Sequence, residues 1–143
     1  MQIADLAAIA GRRYPARRLT QNVVGGPSPL QASAFAIGMV TLDPDGGQVP
    51  WHNQEQEEAY LVLEGEIEMC VGSERRILTA GQAVMIPPRE FHQATNVGST
   101  PDGEGEDRSA IWRWVTSICP ANKIAIPMIA EAINKLKGSS WEK

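Results

Sequence analysis

A chain of 143 residues fits one domain with a single core, and its composition, 43% hydrophobic and 21% charged, is that of an ordinary globular protein. The formal net charge of −4 comes without a Lys/Arg block that could neutralise phosphates, which argues against nucleic acid and against an anionic membrane surface as partners. Thirteen Gly and ten Pro favour many turns and short strands over long helices.

The opening residues, MQIADLAAIAGRR, carry Asp5 within a short apolar run and lack a basic start, so they do not read as a signal peptide. No apolar run reaches membrane-spanning length, and the expected compartment is the cytoplasm. Ile3, Leu6, Ala7 and Ala10 share one helical face, which predicts a short helix over 3–12 ended by Gly11. Arg12, Arg13, Arg17 and Arg18 read as a solvated basic patch at the helix end and the strand after it. Strands are expected over 17–24 and 31–42, parted by the turn-rich GGPSP. In the second, Phe35, Ile37 and Met39 share a parity and are expected to face the interior. DPDGG at 43–47 is a turn.

After it EAYLVLEG, EIEMCVG, RRILTAG, AVMIPP and FHQATNVG follow as short extended segments punctuated by Gly or Pro, the pattern of an all-β barrel or sandwich built from hairpins. Residues 98–109, acidic and glycine-rich, read as a mobile hairpin loop. AIWRWVTSI then resumes strand character, with Trp112 and Trp114 on one face to line or close the barrel. Ile129, Ala132, Ile133 and Leu136 predict a C-terminal helix over 127–137 that Gly138 stops. Cys70 and Cys119 lack neighbours at metal-ligand spacing and read as reduced core thiols. Neither a repeat nor a linker is visible, so the expectation is one domain over 1–143.

The chemistry concentrates around the chain's two histidines, His52 and His92. In PWHNQEQEEAYLVLEGEIEM, residues 50–69, an unbroken strand starting at His52 would take Gln54, Glu58, Tyr60 and Val62 to one face and leave Glu55, Glu57 and Ala59 on the other. On that reading His52, Gln54 and Glu58 work together and the remaining acids face solvent. Tyr60, sharing their face, is a candidate proton donor, although an inward Tyr more often packs.

The spacing of these residues resembles that of the cupins. Their first motif runs Gly, five residues, His, one residue, His, three or four residues, Glu, six residues, Gly; here Gly46, His52, Gln54, Glu58 and Gly65 fill it. Their second motif is filled by Gly81, Pro87, His92 and Asn96. The motifs lie at 46–65 and 81–96. Two positions depart from the pattern, since Gln54 stands where the family has its second His and Arg89 where it has Gly. Arg89 reads as a turn residue, with recognition of an anionic substrate at the barrel mouth as the alternative.

The resemblance implies an all-β cupin barrel, a double-stranded β-helix or jelly roll, with a short helix at each end. It also implies one divalent metal ion held by His52, Gln54, Glu58 and His92, with Gln54 as fourth ligand or as a donor behind the ligands. Such a set suits Fe or Mn, with Zn or Ni as alternatives. The implied function is a metal-dependent enzyme acting on a small oxygenated organic molecule, with Glu58 and Tyr60 as catalytic candidates. Dioxygenase chemistry comes first, then isomerase, decarboxylase or lyase. The alternatives are a non-catalytic cupin that binds a sugar or organic acid, and a degenerate site that has lost its metal through Gln54. Ala59, Leu61 and Leu63 on the outer face of one strand suggest a homodimer.

Overall fold

Short β-rich runs broken by glycine and proline give a structure made almost wholly of strands. The computed structural model describes residues 1–44 and 46–98, and the backbone of 110–117. Its strands are β1 (Arg12–Tyr14), β2 (Arg18–Val24), β3 (Phe35–Leu42), β4 (Gln48–His52), β5 (Glu58–Glu64), β6 (Glu66–Val71), β7 (Glu74–Thr79), β8 (Ala83–Ile86), β9 (His92–Asn96) and β10 (Ala110–Ser117). They form two antiparallel sheets, one in the order β1-β2-β3-β10-β5-β8 and the other β4-β9-β6-β7. From β3 onward the chain passes repeatedly between the sheets, which is the winding of a jelly roll. The switch from β5 to β6 takes a single residue, Gly65, at φ +76°, a left-handed conformation in which most side chains are strained.

The core lies between the layers. Val40, Leu42, Val49, Tyr60, Val62, Ile67, Met69, Ile86 and Ala94 form one buried cluster. Leu42, Val62, Ile67 and Ile86 are fully buried, each stabilising the fold by roughly 1.5–3 kcal/mol relative to exposure. Asn96, at the end of β9, is buried too. Its Nδ2 donates to the carbonyls of Leu42 and Asp43 at 3.2 and 3.1 Å, and its Oδ1 accepts from the Gly98 N–H at 2.9 Å. One side chain thereby ties β9 to the β3–β4 turn in the opposite sheet.

Several expectations are corrected. The N-terminal helix over 3–12 is only a 3₁₀ turn at Leu6–Ala8, capped by the Asp5 carboxylate on the Ala7 N–H at 3.0 Å. Gln21 Nε2 donates to the Leu6 and Ile9 carbonyls at 3.2 and 2.5 Å, so the segment is fastened to the outside of β2. In β3 the core cluster takes the other parity: Val40 and Leu42 enter it, while Phe35 and Ile37 are half-buried and Met39, though buried, stays outside it. β3 begins at Phe35 rather than near Gln31. Cys70 is a half-buried free thiol rather than a core one. The 99–109 part of the acidic loop, Cys119, the helix over 127–137 and the side chains of Trp112 and Trp114 lie outside the described residues. No helix among the described residues is long and apolar enough to cross a membrane.

Candidate metal centre

His52 ends β4 and His92 begins β9, and the two are paired residues in adjacent strands. The pairing reaches them through a bulge. Val49 opposes Ala94 and His52 opposes His92, so three steps along β4 match two along β9. Strict alternation from the buried Val49 would send His52 to solvent; the extra residue restores it to the interior. Pro50, which has no N–H to give to the ladder, lies inside this irregular stretch. The ring centroids of His52 and His92 are 4.1 Å apart.

The third member comes from the facing sheet. An irregular segment over 53–57 separates β4 from β5, which corrects the expectation of one strand running from His52 to Val62. Glu58 then opens β5 with its side chain turned inward, followed on the same face by Tyr60 and Val62, as alternation requires. One ligand-type atom from each of His52, Glu58 and His92 falls within 4.8 Å of the others.

Hydrogen bonds fix which nitrogens are offered. His52 Nδ1 lies 2.9 Å from the Pro50 carbonyl and His92 Nδ1 lies 3.0 Å from the Glu90 carbonyl. A carbonyl only accepts, so each Nδ1 carries a hydrogen and each neutral ring presents the Nε2 lone pair. His92 Nε2 is buried, has no hydrogen-bond partner among the described residues, and sits 3.2 Å from Glu58 Oε2. A neutral imidazole nitrogen facing a carboxylate oxygen brings two lone pairs together. A proton or a cation belongs between them, and two imidazoles with one carboxylate are a fitting donor set for a divalent metal.

The electrostatics agree with that geometry. Burial lowers the His52 pKa, and although the Pro50 carbonyl opposes it the net shift is downward, leaving the ring neutral at pH 7. Burial pulls His92 down as well, but Glu58 and the Glu90 carbonyl outweigh it and the net shift is upward. Burial first, and then the charge of Glu58, hold Tyr60 well above the usual phenol range; its hydroxyl stays protonated and hydrogen-bonds Glu58.

Gln54 is turned onto Glu58. Its Nε2 donates to Glu58 Oε2 at 2.6 Å, so it orients the carboxylate in this structure. The 53–57 segment is held in place by Arg89. The Arg89 N–H donates to the Gln54 carbonyl at 2.7 Å, Asn53 Nδ2 donates to the Arg89 carbonyl at 3.3 Å, and the guanidinium pairs with Glu55 at 2.8 Å. Arg89 has φ +65°, which explains the glycine that cupins carry at this place. Its exposed side chain is engaged by Glu55, and the structure gives no support to an anion-binding role for it.

One residue escaped the sequence reading. Arg12, Arg13 and Arg17 are exposed as expected of a solvated patch, whereas Arg18 is half-buried with its Nε fully enclosed. Its burial follows from the pairing of β2 with β3, which the basic cluster does not reveal.

A two-sheet jelly roll with a buried His/Glu/His group at one end defines a small β-barrel domain able to hold a metal ion. Residues 38–102, a span that includes the whole group, match the cupin-domain family, and this region is a cupin domain. Among solved structures, TT1209 from Thermus thermophilus is 27% identical, covering 84% of this chain and 100% of that one, with a TM-score of 0.61. The polyketide cyclase RemF from Streptomyces resistomycificus is 18% identical over 83% of this chain and 80% of its own, with a TM-score of 0.65. The DMSP lyase DddQ from Ruegeria pomeroyi DSS-3 is 23% identical over 89% and 61% respectively, with a TM-score of 0.61. The last two share the fold. Comparison with curated proteins gives no match.

Proposed function

We propose that the protein is a metal-dependent cupin enzyme acting on a small oxygenated organic molecule, with dioxygenase-type chemistry first and isomerase, decarboxylase or lyase chemistry next. The observation that carries the reading is the convergence of His52, His92 and Glu58, with both Nδ1 atoms tied to carbonyls and the His92 Nε2 left facing the carboxylate. These three residues would hold the ion. With Gln54 occupied on Glu58, they form a two-histidine, one-carboxylate set, which leaves positions open and is the donor set of non-haem Fe(II) oxygenases. Bound Fe or Mn would supply a Lewis acid and a place for dioxygen or a bidentate oxygen ligand, with Zn or Ni as alternatives.

The protein's own residues supply orientation and a proton. Gln54 fixes one oxygen of Glu58, and Tyr60 presents a phenol proton to the same carboxylate. From there it can stabilise negative charge on an oxygen bound beside Glu58. Ile86, fully buried and paired with Glu58 across the ladder, is an apolar neighbour of the carboxylate, which strengthens these interactions. The proposed partners are a small-molecule substrate and a second copy of the chain, and the proposed compartment is the cytoplasm.

Elemental analysis of protein purified without added metal tests the reading, together with oxygen uptake on a panel of small hydroxy and oxo compounds. About one equivalent of Fe or Mn per chain, and uptake with at least one compound, are expected. A metal-free protein that also fails to take up Fe(II) or Mn(II) would instead point to a non-catalytic binding cupin.

A further inference from the structure

Among the described strands β8 ends one sheet and β7 ends the other. Between these two edges lies a cavity of about 380 Å³, within the size range of small-molecule sites. Its lining follows from register. Ile67, Met69 and Val71 of β6 are paired with Leu78, Arg76 and Glu74 of β7, so all six share the inner face of their sheet. Val84 of β8, paired with buried Tyr60, lies on the inner face of the other. Val71, Leu78 and Val84 are half-buried and pack against the core cluster, and all three line the cavity. The core comes to the surface here.

Arg76 occupies an inner-face position where alternation calls for an apolar side chain. It stands opposite Met69, which is 2% exposed and forms the cavity floor. Its stem lies over that floor while the exposed guanidinium bonds the Arg75 carbonyl at 3.0 Å. Glu74 also lines the cavity, but opposite Val71 at the end of the hairpin. The far wall backs onto the metal centre, because Val71 is the ladder partner of His92 and Val84 that of Tyr60.

We propose that this cavity is a binding site for a small amphipathic acid, whose apolar body rests on Met69, Val71, Leu78 and Val84 and whose carboxylate meets Arg76. Apolar walls supply contact area, and a guanidinium fork matches a planar carboxylate in charge and in geometry. The site needs no ion and so stands apart from the metal-centre reading. Where that reading holds, the bound acid lies directly behind His92 and Tyr60.

Calorimetric titration of the full chain with hexanoate, phenylacetate and 4-phenylbutyrate, each beside its uncharged amide, tests the assignment. Phenethylamine serves as a cation of similar body. At least one acid is expected to bind, with its amide about 10-fold weaker. Arg76→Gln should bring the acid down to the level of its amide, while Arg76→Lys keeps the charge and loses less. Leu78→Trp fills the cavity and should abolish binding of acid and amide alike. In protein loaded with Mn(II), the proton resonances of the bound acid should broaden, since the cavity borders the metal centre.

Acids that fail to bind, or that bind no better than their amides or phenethylamine, would overturn the proposal. So would Arg76→Gln binding the acid as the parent does, or a folded Leu78→Trp that still binds it. A dimer that dissociates in Leu78→Trp, in a protein that binds no acid, would assign the cavity to a second copy instead. Acid bound to Mn(II)-loaded protein without broadening would overturn the placement. Should Leu78→Trp fail to fold, the amides and the exposed Arg76 variants still decide. Acid binding that depends on Arg76 in a protein unable to take up Mn(II) would retain this proposal and reject the metal-centre reading.

Discussion

His92 has no surface open to water, so its Nε2 can be satisfied only from the Glu58 side. Replacing His92 with Ala is expected to cost about 10-fold or more in metal affinity, measured against a competing chelator. Gln54→Ala frees one oxygen of Glu58 and should weaken binding by about 10-fold, the effect of removing a ligand's support. Gln54→His discriminates further. An imidazole in place of a ligand would tighten the site, whereas loss of the amide on Glu58 should leave affinity equal or lower, and the latter is expected. Protons compete for the same atom. Because the His92 pKa is raised, apparent metal affinity should begin to fall, as the pH is lowered, above the ordinary imidazole value of about 6.5. A pH-independent affinity across that range would remove His92 from the site. His52, Glu58 and His92 were legible because motif spacing records which residues must meet. The aim of the Gln54 amide was not, since one side chain carries both an acceptor for a metal and a donor for a carboxylate.

At the level of strands, the two sheets depend on a few residues that cross between them. Asn96 is one. Asn96→Ala would strand the buried Leu42 carbonyl and the Asp43 carbonyl without their donor, and a loss of about 2–3 kcal/mol is expected by urea unfolding. Arg89 is another, holding the 53–57 segment from a left-handed conformation. Arg89→Gly relieves that conformation, worth about 1 kcal/mol, and gives up an exposed ion pair worth less. The variant should be at least as stable as the parent, and a marked drop in thermal midpoint would show that the pair with Glu55 matters more than exposed pairs do.

Gly and Pro marked out β5 to β9, but β1 and β4 were not expected as strands, and facing could not be read everywhere. β3 is apolar on both faces, so alternation alone does not choose between Phe35-Ile37-Met39 and Val40-Leu42. The N-terminal segment failed as a helix for a different reason. A stretch this short nucleates poorly, and Gln21 takes the carbonyls of Leu6 and Ile9 into side-chain bonds. The bulge in β4 is invisible to alternation for the same reason that it works: one residue is simply left out of the ladder.

Seen whole, the molecule keeps apolar side chains on its outer surface. Leu63 is 40% exposed and Met85 52%, and Met85 is paired with Ala59 on that face, so the expected outer patch of β5 continues onto β8. We therefore predict a two-fold homodimer through it, to be measured by light scattering at micromolar concentration. Leu63→Glu with Met85→Glu should give monomers, and a parent protein already monomeric would end the idea. The same view gives the metal centre a mechanical meaning. The two histidines belong to one layer and the carboxylate to the other. An ion between them would act as a rivet through both plates at one end of the barrel. Occupancy would then set how readily that end springs apart, adding about 4 kcal/mol of apparent stability at a thousandfold excess over Kd. Amide exchange at the starts of β5 and β9 should slow on loading and quicken on chelation, while the opposite end, clasped by Asn96, keeps its own rate.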